Sequence, residues 1–252
     1  LKNLGIKEFF QKKFEKIGLK RADGILHKGP SGEIKFLGYI NTPDFAITPG
    51  CLDEWTHFPE HKKNKEIHMV FAGGPLESGG GRISFLEITH IITSQKIHFH
   101  TYGACVDKRD NDIFEKEERN NKYFHFHKKL RIDFLNKEIS KYDYGIITPD
   151  FYDTSIINPL WPKNSVANRI SNYIEAGIPT IITRGAEGME KIIQENGIGF
   201  IIDYEDLRNI KGIIKEQDYK KMLETVRRAQ KKFSFNRKIV PNLETFYQKI
   251  AG

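Results

Sequence analysis

Cysteine is nearly absent: the 252 residues carry only Cys51 and Cys105. Two cysteines this far apart make neither a disulfide framework nor metal-ligand spacing, so a reducing cytoplasm is the default setting. Long apolar runs are missing as well. No stretch approaches the roughly 20 residues that span a bilayer, and no secretory signal leads the chain. Recognition helices, zinc fingers and RNP-type aromatic motifs are not found, which argues against nucleic acid as a partner. The glycine run at residues 79–81 lacks the closing Gly-Lys-Ser/Thr of a Walker A loop. No G-x-G-x-x-G with a later ribose carboxylate follows the strand before it, which weakens an NAD-dependent reading.

What is present is an ordinary globular balance, 38% hydrophobic and 29% charged, with a net charge of +7. The lysines are scattered, as at residues 62–65 and 211–232, with acids close by. That interleaving favours a solvated basic face over attraction to an anionic membrane surface, and either over nucleic acid.

Residues 168–183, N-R-I-S-N-Y-I-E-A-G-I-P-T-I-I-T, organise the rest. Ile170, Tyr173 and Ile174 form one apolar stripe at helical spacing. Gly177 stands where a helix C-terminus wants a residue that tolerates positive φ, and Pro179 prevents continuation. Residues 178–183 then read as a buried parallel strand, being β-branched. Elsewhere, strands are expected at residues 66–72, 96–101, 123–127, 142–147 and 197–203, with helices at 83–94, 130–140, 188–196, 206–210, 219–233 and 237–250. Residues 104–121 read as a charged, irregular surface excursion. This alternation predicts a Rossmann-like α/β fold, a doubly wound parallel sheet that binds ligands outside the carboxyl ends of its strands. Gly73-Gly74, Tyr102-Gly103, His127-Lys128 and the loop before Asn164 fall at that edge. His125 and His127 share one strand face and invite a metal reading, but no third ligand is near them in sequence.

The central stretch resembles the segment "P-N-K-L-F-E-Y-L-A-A-G-L-P-V-I" of GT-B glycosyltransferases, of the group 1/family 4 type. Asn168, Arg169, Tyr173, Gly177 and Pro179 match, and Asn172 stands where Glu is usual. Residues 49–59 resemble the family's inter-domain passage, residues 142–146 its "Y-D-x-G-I/L", and residues 197–207 its closing strand and turn. The resemblance implies the end of an N-terminal acceptor domain at 1–45, a linker at 46–60, a donor-binding domain at 61–235, and a C-terminal helix at 236–252 returning toward the first domain. An apolar face of Phe9, Phe10, Phe14 and Ile17 would then be left by a missing N-terminal part, and the fragment alone would be inactive. The implied reaction moves a sugar from a UDP- or GDP-sugar to a hydroxyl acceptor (a glycan, lipid-linked sugar or small molecule) without cofactor or metal. Arg169 and the N–H groups near Asn168 would face the diphosphate and Asn172 the ribose. His127 and Lys128 would lie near the base, with His125 merely packed in its strand. Gly73 and Gly74 would admit backbone to the phosphates or sugar, and Arg82 is a weaker phosphate candidate. The rival is a non-catalytic nucleotide- or sugar-binding module. Localisation is expected to be cytoplasmic, with possible peripheral contact at the inner membrane face.

Overall fold

The computed structural model describes residues 13–14, 17–28, 42–58, 66–75, 77, 84–105, 107–149 and 166–252. Ahead of the main sheet, β1 (Ile25–His27) and β2 (Asp44–Ala46) pair in parallel. Six further strands then alternate with helices: β3 (His68–Ala72), α1 (Phe85–Ser94), β4 (His98–Tyr102), α2 (Lys108–Asn120), β5 (Phe124–His127), α3 (Ile132–Ile139), β6 (Tyr144–Ile147), α4 (Arg169–Ala176), β7 (Thr180–Thr183), α5 (Glu187–Asn196) and β8 (Gly199–Ile202). The chain closes with α6 (Ile210–Glu216), α7 (Tyr219–Lys232) and α8 (Val240–Ala251). All pairings are parallel, in the order β5-β4-β3-β6-β7-β8, so the expected doubly wound sheet is present.

Alternation along each strand splits the core in two. Met69, Phe71, Phe99 and Phe124 pack under α1, α2 and α6. Val70, Tyr102, Ile147 and Ile182 pack under α3, α4, α5 and α7. With both faces covered, β7 is buried throughout, as its Thr-Ile-Ile-Thr composition requires. Gly177 ends α4 at φ 76°, and the Ile178 N–H turns back to the Tyr173 carbonyl.

One expectation is corrected. Residues 108–120 are a helix, not an irregular excursion. Asp107 caps it by accepting from the Arg109 N–H at 2.9 Å, and Asp110 and Phe114 form its buried side. One aromatic per turn of contact suffices, because Phe114 meets Phe85, Phe124 and Phe126.

At the other end, α8 lies on the small sheet: the Phe246 ring centroid is 5.6 Å from that of Phe45, and Phe246 and Ile250 crowd Gly24. Phe14 and Ile17 are exposed, while Phe9 and Phe10 lie outside the described residues. No helix among the described residues is long and apolar enough to cross a membrane.

Candidate functional site

The strand order reverses between β3 and β6, where parallel sheets open a crevice for ligands. There β3 and β6 pair only at Met69–Tyr144 and Val70–Gly145, whereas β3 and β4 pair along five positions. Beyond Val70 the two strands part, and Tyr173 of α4 fills the wedge. Its hydroxyl accepts from the Ala72 N–H at 3.0 Å and lies 3.1 Å from the Val70 carbonyl and 2.9 Å from that of Ile146. Complete burial raises this phenol to about 12, so it stays a neutral donor. The ring rests on Gly145, where any Cβ would fall 2.4 Å from Cγ of Tyr173.

One turn earlier on the same helix face is Arg169. Its Nε donates to the Ala72 carbonyl at 3.0 Å, and its guanidinium stacks 4.0 Å from the Phe71 ring centroid. Gly73 makes room for it, since a Cβ there would lie 2.6 Å from Nη2. Gly74 makes room for the loop after β4, a Cβ there falling 2.2 Å from the Ala104 carbonyl oxygen. No carboxylate among the described residues pairs with Arg169, so a fixed positive charge stands at the mouth of the crevice. Asn168 begins α4 without a side-chain cap and its Oδ1 instead accepts from Lys28 Nζ at 3.3 Å. The first-turn N–H groups of α4 therefore have no side-chain acceptor from Asn168, which suits an anion at this end. Asn172 sits half-buried on the first turn, with no side-chain hydrogen bond to a described residue.

The structure separates His127 from Lys128. His127 stacks on Tyr102 at 4.4 Å on the α3 side of the sheet, and its Nε2 meets His100 Nδ1 at 3.0 Å. Lys128 lines a cavity of about 550 Å³ on the α2 side, with Gly103, Glu118 and Phe126. Burial lowers the His127 imidazole, and lowers His125 to about 4 and His100 to about 2, the neighbouring histidines adding to the effect for the last two. These rings are neutral at physiological pH and serve as packed polar rungs. A second cavity of about 490 Å³ opens at Gly73 and Gly74 and is lined by Tyr102, Lys129 and Arg131. Sequence reasoning missed the last two. The basic run directly after β5, at the carboxyl edge, was the available signal. Arg82 lies outside the described residues.

The far end of α4 is clasped by residues 50–57. Glu175 accepts from the Leu52 N–H at 2.8 Å and from Asn136 Nδ2 at 2.5 Å, while the His57 N–H donates to the Glu175 carbonyl at 2.7 Å. Gln230 of α7 donates to the His57 and Ile174 carbonyls, at 2.9 and 2.8 Å. Burial raises the Glu175 carboxyl to about 7, against the hydrogen bonds that favour its charge. Thus one helix carries Arg169 and Tyr173 at the crevice and the clasp at its other end.

Residues 71–237 match the family model described as "Glucosyltransferase 3-like, C-terminal domain". No curated protein sequence matches the chain. Among solved structures, the fold is similar to the pneumococcal O-GlcNAc transferase GtfA in complex with UDP and GlcNAc, with TM-score 0.67 at 12% identity over 95% of this chain and 48% of that one. Sucrose-phosphate synthase from Thermosynechococcus elongatus gives TM-score 0.69 at 15% identity, over 96% and 62%. WaaG, a glycosyltransferase involved in lipopolysaccharide biosynthesis, gives 0.61 at 12%, over 90% and 64%. The chain therefore spans between 48% and 64% of the length of these structures.

Proposed function

The chain belongs to the glucosyltransferase 3-like family through its C-terminal domain, and on that premise we propose that it is the donor-binding half of a GT-B glycosyltransferase. The reaction moves a sugar from a UDP- or GDP-sugar to a hydroxyl acceptor. The bond between the sugar's anomeric carbon and the diphosphate breaks, its electrons stay on the diphosphate, and the acceptor oxygen takes the carbon and gives up its proton. The observation that carries this reading is Arg169, held by the Ala72 carbonyl beneath Gly73 at the point where the strand order reverses. Charge that develops on the leaving diphosphate would meet this guanidinium and the first-turn amides of α4, fixed donors that need no reorganisation. These donors do the work for which other transferases use a metal.

On this reading Asn168 and Arg169 serve the diphosphate and Asn172 the ribose. Lys128 lies toward the base, joined by Lys129 and Arg131, while His127, expected there with it, packs on Tyr102 across the sheet. Residues 1–45 close the acceptor domain, 46–60 link it, and 236–252 return to it. The packing of Phe246 on Phe45 and the Cys51–Phe233 and Phe235–Cys51 hydrogen bonds support that division. The acceptor and the base that deprotonates it belong to the N-terminal side. Glycan or glycoconjugate synthesis at the cytoplasmic face of a membrane fits a chain with a net charge of +7.

The test is calorimetric titration with UDP, GDP and NAD, on the wild type and Arg169→Gln. UDP or GDP should bind, and the variant should bind at least tenfold more weakly, as loss of a charged hydrogen bond implies. Binding of NAD alone, or equal nucleotide affinity in both proteins, would overturn the assignment.

A further inference from the structure

One face of α4 is held along its length by segments that precede the main sheet. Asn168, Ser171 and Glu175 fall at i, i+3 and i+7, so they share that face. Each accepts from a donor far back in the chain. Lys28 Nζ donates to Asn168 Oδ1 at 3.3 Å, the Gly50 N–H to Ser171 Oγ at 3.3 Å, and the Leu52 N–H to Glu175 Oε1 at 2.8 Å. Two of these donors are main-chain groups. The third is a cation on an exposed side chain, carried by the residue after β1 and 140 positions away from its partner.

That contact leaves the charge of Lys28 unused. The Asn168 amide is neutral, and 3.3 Å is longer than the usual N–H···O span of about 2.7–3.2 Å. An ammonium has three protons to donate, and Asn168 takes one. No carboxylate among the described residues pairs with Lys28, and Asp44 of the neighbouring strand is engaged by His27 Nε2 at 2.9 Å. Arg169 brings a second cation without a carboxylate partner to the same turn of α4, its Nε held on the Ala72 carbonyl. Two cations at the start of a helix repel each other and oppose the helix dipole. An anion between them turns both terms favourable.

We propose that Lys28 is a ligand of the donor's diphosphate, supplied from the N-terminal side of the crevice, and that it exchanges Asn168 for a phosphate oxygen when the nucleotide binds. The inference rests on the reading of this crevice as a nucleotide-diphosphate site. The phosphate it takes is the sugar-bearing one, because the sugar lies between the nucleotide and an acceptor held on the N-terminal side. The exchange replaces a neutral acceptor with a charged one, which makes a bond roughly twice as strong. When the bond to the sugar breaks, its electrons stay on this phosphate. Lys28 therefore stabilises the departing diphosphate more than the intact donor. The Gly50 and Leu52 bonds seat the N-terminal segments on α4, so that the cation arrives only when those segments are in place.

The experiment is calorimetric titration of wild type, Lys28→Gln, Lys28→Arg and Arg169→Gln with UDP and GDP, and then with the monophosphate of whichever binds. Lys28→Gln should bind the diphosphate roughly three- to tenfold more weakly, between the worth of an exposed ion pair and that of a charged hydrogen bond. It should bind the monophosphate as the wild type does, so that the preference for diphosphate shrinks by the same factor. Raising NaCl from about 0.05 to 0.5 M should cost the wild type more affinity than it costs Lys28→Gln. Lys28→Arg should keep most of the preference. Equal weakening for monophosphate and diphosphate would mean that Lys28 acts only by packing, and would overturn the proposal. Wild-type affinity in Lys28→Gln, with weakened binding in Arg169→Gln, would overturn it and leave the reading of the crevice standing. Failure of both UDP and GDP to bind the wild type would overturn the two together.

Discussion

Replacing Tyr173 by phenylalanine removes one oxygen from the point where the sheet divides, and the consequence can be worked out from the bonds that oxygen makes. The ring can stay, seated on Gly145. What is lost is the acceptor for the Ala72 N–H and the donor shared between the Val70 and Ile146 carbonyls. A carbonyl with two lone pairs tolerates under-satisfaction better than an N–H does, so the Ala72 amide dominates the cost. Leaving one buried donor unsatisfied costs about 1–3 kcal/mol. In a chain of this size each kcal/mol lowers Tm by about 2–4 °C, giving an expected drop of roughly 2–12 °C. The assay is thermal unfolding followed by circular dichroism. Tyr247→Phe serves as control, because that ring is 49% exposed and should change stability by no more than about 0.5 kcal/mol. A Tyr173→Phe protein that melts within 1 °C of the control, by that order-of-magnitude reckoning, would refute the claim that this hydroxyl stitches β3 to β6.

The parts legible in the sequence were those set by neighbours along the chain. Gly177 and Pro179 end α4 by their own backbone preferences, and the β-branched run after them packs on both faces as such runs do. Helix α2 was missed because it carries a thin apolar stripe; its one informative residue besides the Asp107 cap is Phe114, whose three ring partners are remote in sequence. The histidine cluster escaped for a related reason. Each strand shows its own alternation, His98-x-His100 and His125-x-His127, yet only the β3–β4–β5 register makes them one layer and adds His68. Gly145 was legible as a motif letter but not as a cause. The Tyr173 ring that demands it comes from a helix 28 residues further on. Sequence order placed Arg169 at the crevice through helix position, and it said nothing of the Ala72 carbonyl that anchors it.

Gly145→Ala should destabilise by about 1–3 kcal/mol or more, measured by urea unfolding, because its Cβ would lie 2.4 Å from a ring that cannot withdraw. Asn172→Ala should weaken UDP or GDP binding by about 0.5–1.5 kcal/mol, the worth of a neutral hydrogen bond, and Asn172→Glu should strengthen it if the side chain reaches the ribose. Unchanged calorimetric affinity in both would remove Asn172 from the site. The last prediction concerns pH. Burial raises the Glu175 carboxyl from 4.5 in the unfolded chain to about 7 in the folded one. Between these values the folded state holds a proton that the unfolded state has released, so stability falls as pH rises through that window. The contribution is full below about pH 4.5 and gone above about pH 7, and its total is at most about 3 kcal/mol. Glu175→Gln keeps an acceptor for the Leu52 N–H but does not titrate. Denaturant unfolding at pH 5 and pH 8 should therefore show the wild type losing stability relative to the glutamine variant at the higher pH. Because Glu175 fastens residues 52–57 to α4, the same rise in pH should speed amide exchange at Leu52 and His57 beyond its ordinary pH dependence. A stability difference between the two proteins that stays constant from pH 5 to pH 8 would mean that the carboxyl titrates at its ordinary value and that the clasp is not sensitive to protons.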